Sequence, residues 1–380
     1  MSLLNRYRLF VSGTALLLGV VSGMAAAPGK AGVYCKLTDI KDPAALAETM
    51  LQIKAAGIDF ILPYTKLTSG KVKWASKIAP KEMLDDPEFL GQVTKAAHQA
   101  GLKVYPVFCV CTEGGDTKVN PLLEKHPSWA FKTASGPVGY IDPGNAEARA
   151  YQTSLIVEAA TLYPIDGISL DYMRFPQKVG YTDTARTEFL SRKGVDLAKV
   201  LEPASLESEG GKKGASIAAV RAHPVWPQYK EWRRQQLNKF MHELRDAVQN
   251  ARPGLPMSSY CWGAHTLNSP SFETCQDWKT WIDKKQLDWI NPSGYRYTDE
   301  EFKKAAALNR QTVPAATPFY ITIGVSTSHG KLENPAALRK QMQFAKESGS
   351  DGLIFFTWEA LRNFMPESGK DIREWRPARP

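Results

Sequence analysis

The chain has 380 residues, with 48 Lys and Arg against 39 Asp and Glu for a net charge of +9, and 43% of it is hydrophobic. That length suits one large domain or two small ones. The basic residues are too dispersed for a nucleic-acid-binding arm: KVK at 71–73 and GGKKG at 210–214 read as solvated loops, and no segment after the N-terminus is apolar enough to span a bilayer.

Residues 1–27 read as a signal peptide. Arg6 and Arg8 precede an apolar run, Leu9 to Val21, that is too short for a stable span, and Ala25-Ala26-Ala27 offers a cleavage site. The expectation is a secreted or periplasmic protein, 28–380, without a membrane span. A mildly basic exported protein suits anionic polymers, cell-envelope glycans among them.

Eight strand-like runs follow: Gly32–Leu37, Asp59–Tyr64, Lys103–Val110, Ile165–Tyr172, Leu255–Trp262, Leu287–Tyr295, Phe319–Val325 and Gly352–Trp358. Segments with helical periodicity lie between them. Pro43–Ala56 has Asp42 as N-cap and Gly57 after its end; Pro87–Ala100 repeats this with Asp86 and Gly101. Ala146–Leu162, Gln228–Asn250, Glu273–Lys284, Glu300–Asn309 and Pro335–Ser348 complete the series. Alternating strands and helices predict a parallel sheet, and eight units predict an α/β (β/α)8 TIM barrel. A doubly wound sheet would carry a Gly-rich loop after its first strand, where this chain has YCKLTDIKD. The long βα-loop insertions, above all the one at about 177–227, add to one domain rather than making a second.

In a TIM barrel the C-terminal strand ends carry the chemistry. In IDGISLDYMRFP, residues Ile165, Gly167, Ser169 and Asp171 share one face, which puts Asp171 inward at such an end. Other strand ends supply Tyr64, Arg174, Trp262, Asn291, Tyr295 and Trp358 as candidate substrate-binding residues. Rings beside carboxylates and amides suit a sugar, whose C–H faces stack while its hydroxyls take directed hydrogen bonds. Glycoside hydrolysis needs two carboxyl groups, and Asp171 with Glu359 is the preferred catalytic pair. Arg174 is expected to help keep Asp171 ionised, and Phe356 and Trp358 to raise Glu359 by desolvation, which suits Glu359 to the acid role. Glu113 is the reserve acid. Asp59, Asp166, Asp288 and Asp351 begin strands, and so belong to stability rather than chemistry.

No cofactor or metal is expected: the first strand lacks His-x-His, INPSGYRY lacks a Schiff-base lysine, and there is no G-x-S-x-G. Of five cysteines, Cys109 and Cys111 read as apolar fillers, and Cys261–Cys275 as the best candidate disulfide.

The stretches GLKVYPVFCV, LLEKHPSWAFKT, YIDPGNAEARAY, DGISLDYMRFP, YKEWRRQQLNKFMHELRDAV, CQDWKTWIDKKQLDWINPSGY and DGLIFFTWEAL resemble, in order, the family-10-like glycosyl hydrolases, exported bacterial barrels. The resemblance covers roughly 31–362. It implies a polysaccharide or oligosaccharide substrate, and it maps the family's fourth-strand aspartate onto Asp171 and its eighth-strand glutamate onto Glu359. Members often carry an acid at the third strand end, where this chain has Cys109, Val110 and Cys111, and two acids in the fourth-strand block, where it has Asp171-Tyr172. A non-catalytic polysaccharide-binding barrel is therefore the alternative.

Overall fold

The computed structural model describes residues 27–116, 118–201 and 213–378. The signal peptide read at 1–27 lies, Ala27 apart, outside them. The eight expected strands are all present: Ala31–Cys35, Phe60–Lys66, Val107–Cys109 (led in by Lys103–Val104), Ile168–Asp171, Met257–Cys261, Trp289–Pro292, Tyr320–Gly324 and Gly352–Phe356. They pair in parallel in chain order, and the first also pairs with the eighth. Parallel bridges Ile290–Phe319 and Ser293–Thr322 join the sixth to the seventh and bring the sheet round into a barrel. No described helix is long and apolar enough to cross a membrane.

The helices start where the capping chemistry puts them. The Asp42 side chain accepts from the amides of Ala44 and Ala45 at the head of Pro43–Ala55, and Asn145 caps Ala146–Leu162 in the same way. Two expectations are corrected. Asp86 does not cap the second helix, Phe89–Gln99, which starts later with Glu88 at its N-cap; the Asp86 carboxylate pairs with Lys41 at 2.8 Å. The helix expected from Glu273 begins only at Trp278, because Glu273 is buried in an ion pair with Arg233. Trp278 and Trp281 pack into the core.

Inward-facing side chains fill the lower barrel. Phe60, Tyr105, Trp289 and Tyr320 form an aromatic plug, with centroid separations of 5.2 Å for Trp289–Tyr320, 5.6 Å for Phe60–Tyr105 and 5.6 Å for Tyr105–Trp289. Three other strands supply only glycine at this level. A Cβ on Gly32 would lie 2.2 Å from Phe60, on Gly167 2.2 Å from Tyr105, and on Gly352 2.1 Å from Tyr320. Large and absent side chains thus interlock, as native packing density requires.

Below the plug, one device recurs four times. Asp59, Asp166, Asp288 and Asp351, at the entries to even-numbered strands, each accept a backbone N–H from the preceding odd-numbered strand: Ala31 (3.2 Å), Val104 (2.8 Å), Met257 (2.7 Å) and Phe319 (2.9 Å). Each aspartate amide donates back to the carbonyl of that same residue. The carboxylate therefore satisfies an amide that the ladder leaves unpaired at the barrel floor.

Replacing Asp288 with Ala leaves the Met257 amide and Arg245 without this carboxylate, and is expected to destabilise the fold by roughly 1–3 kcal/mol. Asp283→Ala, which breaks only the exposed pair with Lys279, should stay within about 0.5 kcal/mol. Urea unfolding of both variants tests this, and equal effects would refute the floor device.

Candidate active site

The plug leaves the upper barrel to polar and aromatic groups. Alternation along the fourth strand sends Ile168 and Leu170 outward into the helix-facing core, and Ser169 and Asp171 inward. Asp171 is 6% exposed. Its Oδ2 accepts from the Tyr64 hydroxyl at 3.2 Å and its Oδ1 from the Tyr172 amide at 2.7 Å. Tyr172 has φ +51°, a left-handed backbone that only a well-supported strand end holds in a bulky residue.

Burial pushes the Asp171 carboxyl up to about 6. The Tyr172 amide, Arg174 and the Tyr64 hydroxyl pull the other way and are outweighed. Arg174 thus favours the ionised form, as expected, but burial outweighs it. Arg174 itself lies over rings: its guanidinium carbon is 4.5 Å from the centroid of Tyr172, 5.4 Å from Trp262 and 6.0 Å from Tyr140.

Rings wall the bowl around Asp171. Tyr34 stacks on Tyr64 at 5.8 Å, Tyr260 on Tyr295 at 5.6 Å, and Phe356 lies against Tyr34, Tyr64 and Tyr295. Tyr140 enters from a three-stranded sheet in the third-strand loop (Thr112–Gly115, Ala130–Thr133, Gly136–Ile141) and meets Tyr172 at 6.4 Å. Tyr34 and Tyr140 were not singled out in the sequence, and Phe356 was named there only as a neighbour of Glu359. Period-two alternation in AGVYC and GLIFF carried the signal for Tyr34 and Phe356; Tyr140 had none, since a loop hairpin delivers it.

Tyr64, Asp171, Arg174, Trp262 and Tyr295 thus come together. Three other candidates sit differently. Asn291 is fully buried and donates from Nδ2 to the Tyr34 hydroxyl at 2.8 Å, so it braces a bowl residue. Trp358 packs in the outer core between barrel and helices. Glu359 opens the short helix Trp358–Leu361, and its Oε1 accepts from the amides of Lys36 (2.9 Å) and Leu37 (3.2 Å) at the end of the first strand. Its Oε2 is buried without a partner.

Glu113 is a structural group. It is fully buried, its Oε1 is 3.0 Å from Lys66 Nζ and accepts from Gln152, and its Oε2 accepts from Asn120. Lys66 also donates to the carbonyls of Cys109 and Thr112. The anticipated Cys261–Cys275 disulfide is absent: all five cysteines are free thiols, and Cys261 Sγ hydrogen-bonds within its own strand to Ser259. Among the described residues, no group of three or more His, Cys, Asp or Glu could hold a metal.

A parallel eight-stranded barrel with a buried carboxyl and a ring-lined bowl at its C-terminal end defines a TIM barrel of glycoside-hydrolase type. The chain belongs to the family described as glycosyl hydrolase-like 10, whose model matches residues 39–344. Glycosyl hydrolase DigH of Escherichia coli (strain K12) is 23% identical over 260 residues, covering 62% of this chain and 50% of DigH. The chain thus spans about half the length of the curated relatives it matches first. Among solved structures, the PgaB (BpsB) glycoside hydrolase domain of Bordetella bronchiseptica shares the fold at a TM-score of 0.63 and 15% identity, and covers 93% of this chain and all of that one. The β-amylase catalytic domain of Paenibacillus polymyxa does so at 0.62 and 14%, with the same coverage.

Glu113→Gln strands the Lys66 ammonium in the interior and is expected to cost about 3–5 kcal/mol. The check is loss of folded protein by circular dichroism and urea titration, before any question of activity arises. A well-folded Gln variant with wild-type stability would overturn the structural assignment of Glu113.

Proposed function

We propose that the chain is an exported glycoside hydrolase acting on a poly- or oligosaccharide, a cell-envelope glycan being the first candidate. The observation that carries this is the state of Asp171: a carboxyl at a barrel strand end, ringed by tyrosines and pushed by burial to about 6. A carboxyl protonated near neutral pH can give its proton to a leaving glycosidic oxygen. In this reading Asp171 is the general acid, and Tyr64 orients it through the 3.2 Å hydrogen bond. Glu359 is the second carboxyl: the strand-one amides fix one oxygen and the other has no protein partner. Trp262, Tyr295 and Tyr260 offer ring faces to the sugar, and Arg174 offers N–H donors to its hydroxyls. The family match and the glycosidase-type barrels of its structural neighbours support the reaction class.

A second reading has an observation of its own. The second carboxyl, Glu359, has one oxygen tied to the backbone amides of Lys36 and Leu37. That arrangement also suits a barrel that binds glycans without cutting them.

Reducing-end release from denuded peptidoglycan strands, chitosan-like polymers, uronic-acid polymers and neutral glucans separates the two. Release by wild type, lost in Asp171→Asn and Glu359→Gln, is the expected result for the enzyme. Affinity without release on every substrate, undiminished in Asp171→Asn, would establish the binding protein. As general acid, Asp171 requires activity to fall as pH rises through about 6.

Stability gives an independent check. A carboxyl whose folded pKa lies above its unfolded value binds more protons when folded, so it makes stability fall as pH rises from about 4 to about 6. Asp171→Asn removes that slope. The variant should match or exceed wild type at pH 7, by at most about 3 kcal/mol, and lose the advantage at pH 4. Parallel stability–pH curves for the two proteins would contradict the elevated carboxyl.

A further inference from the structure

The loop after the seventh strand is a small hairpin that turns through TSHG at 327–330. Ser326–Thr327 pairs antiparallel with Gly330–Lys331. The Leu332 amide closes the base by donating to the Val325 carbonyl at 2.9 Å, and both side chains are buried. The Val325 amide donates to the Phe356 carbonyl at 2.9 Å and so ties the hairpin to the eighth strand. Thr327 fixes the turn: its Oγ1 accepts from the His329 amide at 3.0 Å and is hydrogen-bonded to the Tyr297 hydroxyl at 2.6 Å. Two glycines let the hairpin close on the segment after the sixth strand. A Cβ on Gly324 would lie 2.7 Å from the Tyr295 ring and 2.8 Å from the Thr327 methyl, and one on Gly330 would lie 2.7 Å from the Tyr297 ring.

This packing decides where His329 stands. Its ring centroid is 6.3 Å from that of Tyr295, at an inclination of 35°. Tyr295 in turn belongs to the bowl, stacked on Tyr260 and tilted against Phe356. His329 is exposed and Tyr295 is partly so. Among the described residues the His329 imidazole has no hydrogen-bond or ion-pair partner. An uncharged imidazole carries one donor and one acceptor, which is what a sugar hydroxyl can satisfy. The hairpin is thus anchored on its inner side and presents a free polar ring beside the bowl, the arrangement of a binding loop on a rigid scaffold. Strands three and seven face each other across an eight-stranded barrel. The His329 hairpin therefore stands opposite the small sheet that brings Tyr140 to Tyr172 and Arg174, with the bowl between them.

We propose that His329 and the exposed part of Tyr295 form an outer sugar subsite, which takes a unit of the glycan beyond the one held at Asp171, so that the chain runs across the bowl rather than ending in it. That the two units belong to a chain being cut rests on the proposed function; the subsite itself does not. Contacts made this far from the reacting bond set a preference for chain length.

The test is calorimetric titration of the intact chain carrying Asp171→Asn, so that binding is read without cutting. The probes are two-unit and six-unit oligomers of denuded peptidoglycan, chitosan-like, uronic-acid and neutral glucan chains. Six-unit oligomers of at least one polymer should bind more tightly than two-unit ones. His329→Ala, at an exposed position, should then weaken the six-unit oligomer at least five-fold and the two-unit oligomer less than two-fold, while the remote Asp283→Ala changes neither. Equal loss at both lengths, no loss, or no binding to any of the four polymers would overturn the subsite. A length-dependent loss in a protein whose wild type releases no reducing ends keeps the subsite and removes the glycosidase reading. Release by wild type with no length-dependent loss keeps the glycosidase reading and removes the subsite.

Discussion

The chemistry of the upper barrel depends on how the lower barrel is filled. Four aromatic side chains from strands two, three, six and seven occupy the floor, and they fit only because strands one, four and eight present Gly32, Gly167 and Gly352 there. A barrel of eight strands has an interior just wide enough for side chains, so a dense floor leaves polar groups one place to go. Asp171 stands two inward positions above Gly167 on the same strand. The glycine that admits Tyr105 and the carboxyl that faces the bowl are set by one alternation.

That placement also decides the electrostatics. Among the described residues, two donors meet Asp171, the Tyr64 hydroxyl and the Tyr172 amide, and it sits among stacked rings. Arg174 lowers its pKa but spends its guanidinium on ring faces rather than in a carboxylate fork. A direct Arg–carboxylate pair would have fixed the charge and ended any role in proton transfer. The floor aspartates show the contrast: Asp288 has Arg245 at 2.5 Å and an amide, and serves the fold alone.

The sequence carried the barrel because each strand and helix has a local signature: a period-two apolar run, an Asp or Asn cap, a glycine at the end. It carried Asp171 and the floor aspartates for the same reason, since position along a strand decides which face and which end a residue occupies. It did not carry what depends on contacts between distant loops. Glu113 looked like a free loop acid until Lys66, Asn120 and Gln152 closed on it. Glu273 looked like the start of a helix until Arg233 and Arg221 drew it inward. Asn291 and Trp358 lie where strand ends predict, yet burial commits one to Tyr34 and the other to the outer core.

Those buried pairs explain how long insertions can frame a precise bowl. The apolar core continues past the strand tips into the loops, through Trp129, Phe131 and Tyr140 among others, and buried ion pairs add a directional attachment to it. Lys66–Glu113 ties the third-strand loop to the second strand and, through Gln152, to the following helix. Arg233–Glu273, with Arg221, ties the fifth-strand loop to the long helix Trp226–Ala251 and to the inserted helix Lys213–Ala222. A buried ion pair adds little net stability over an apolar substitute, but a single misplaced loop leaves a charge uncompensated. The penalty for the wrong loop position is therefore steep where the gain for the right one is modest. Loops held in that way keep Tyr140, Trp262 and Phe272 in register with Arg174 and Asp171.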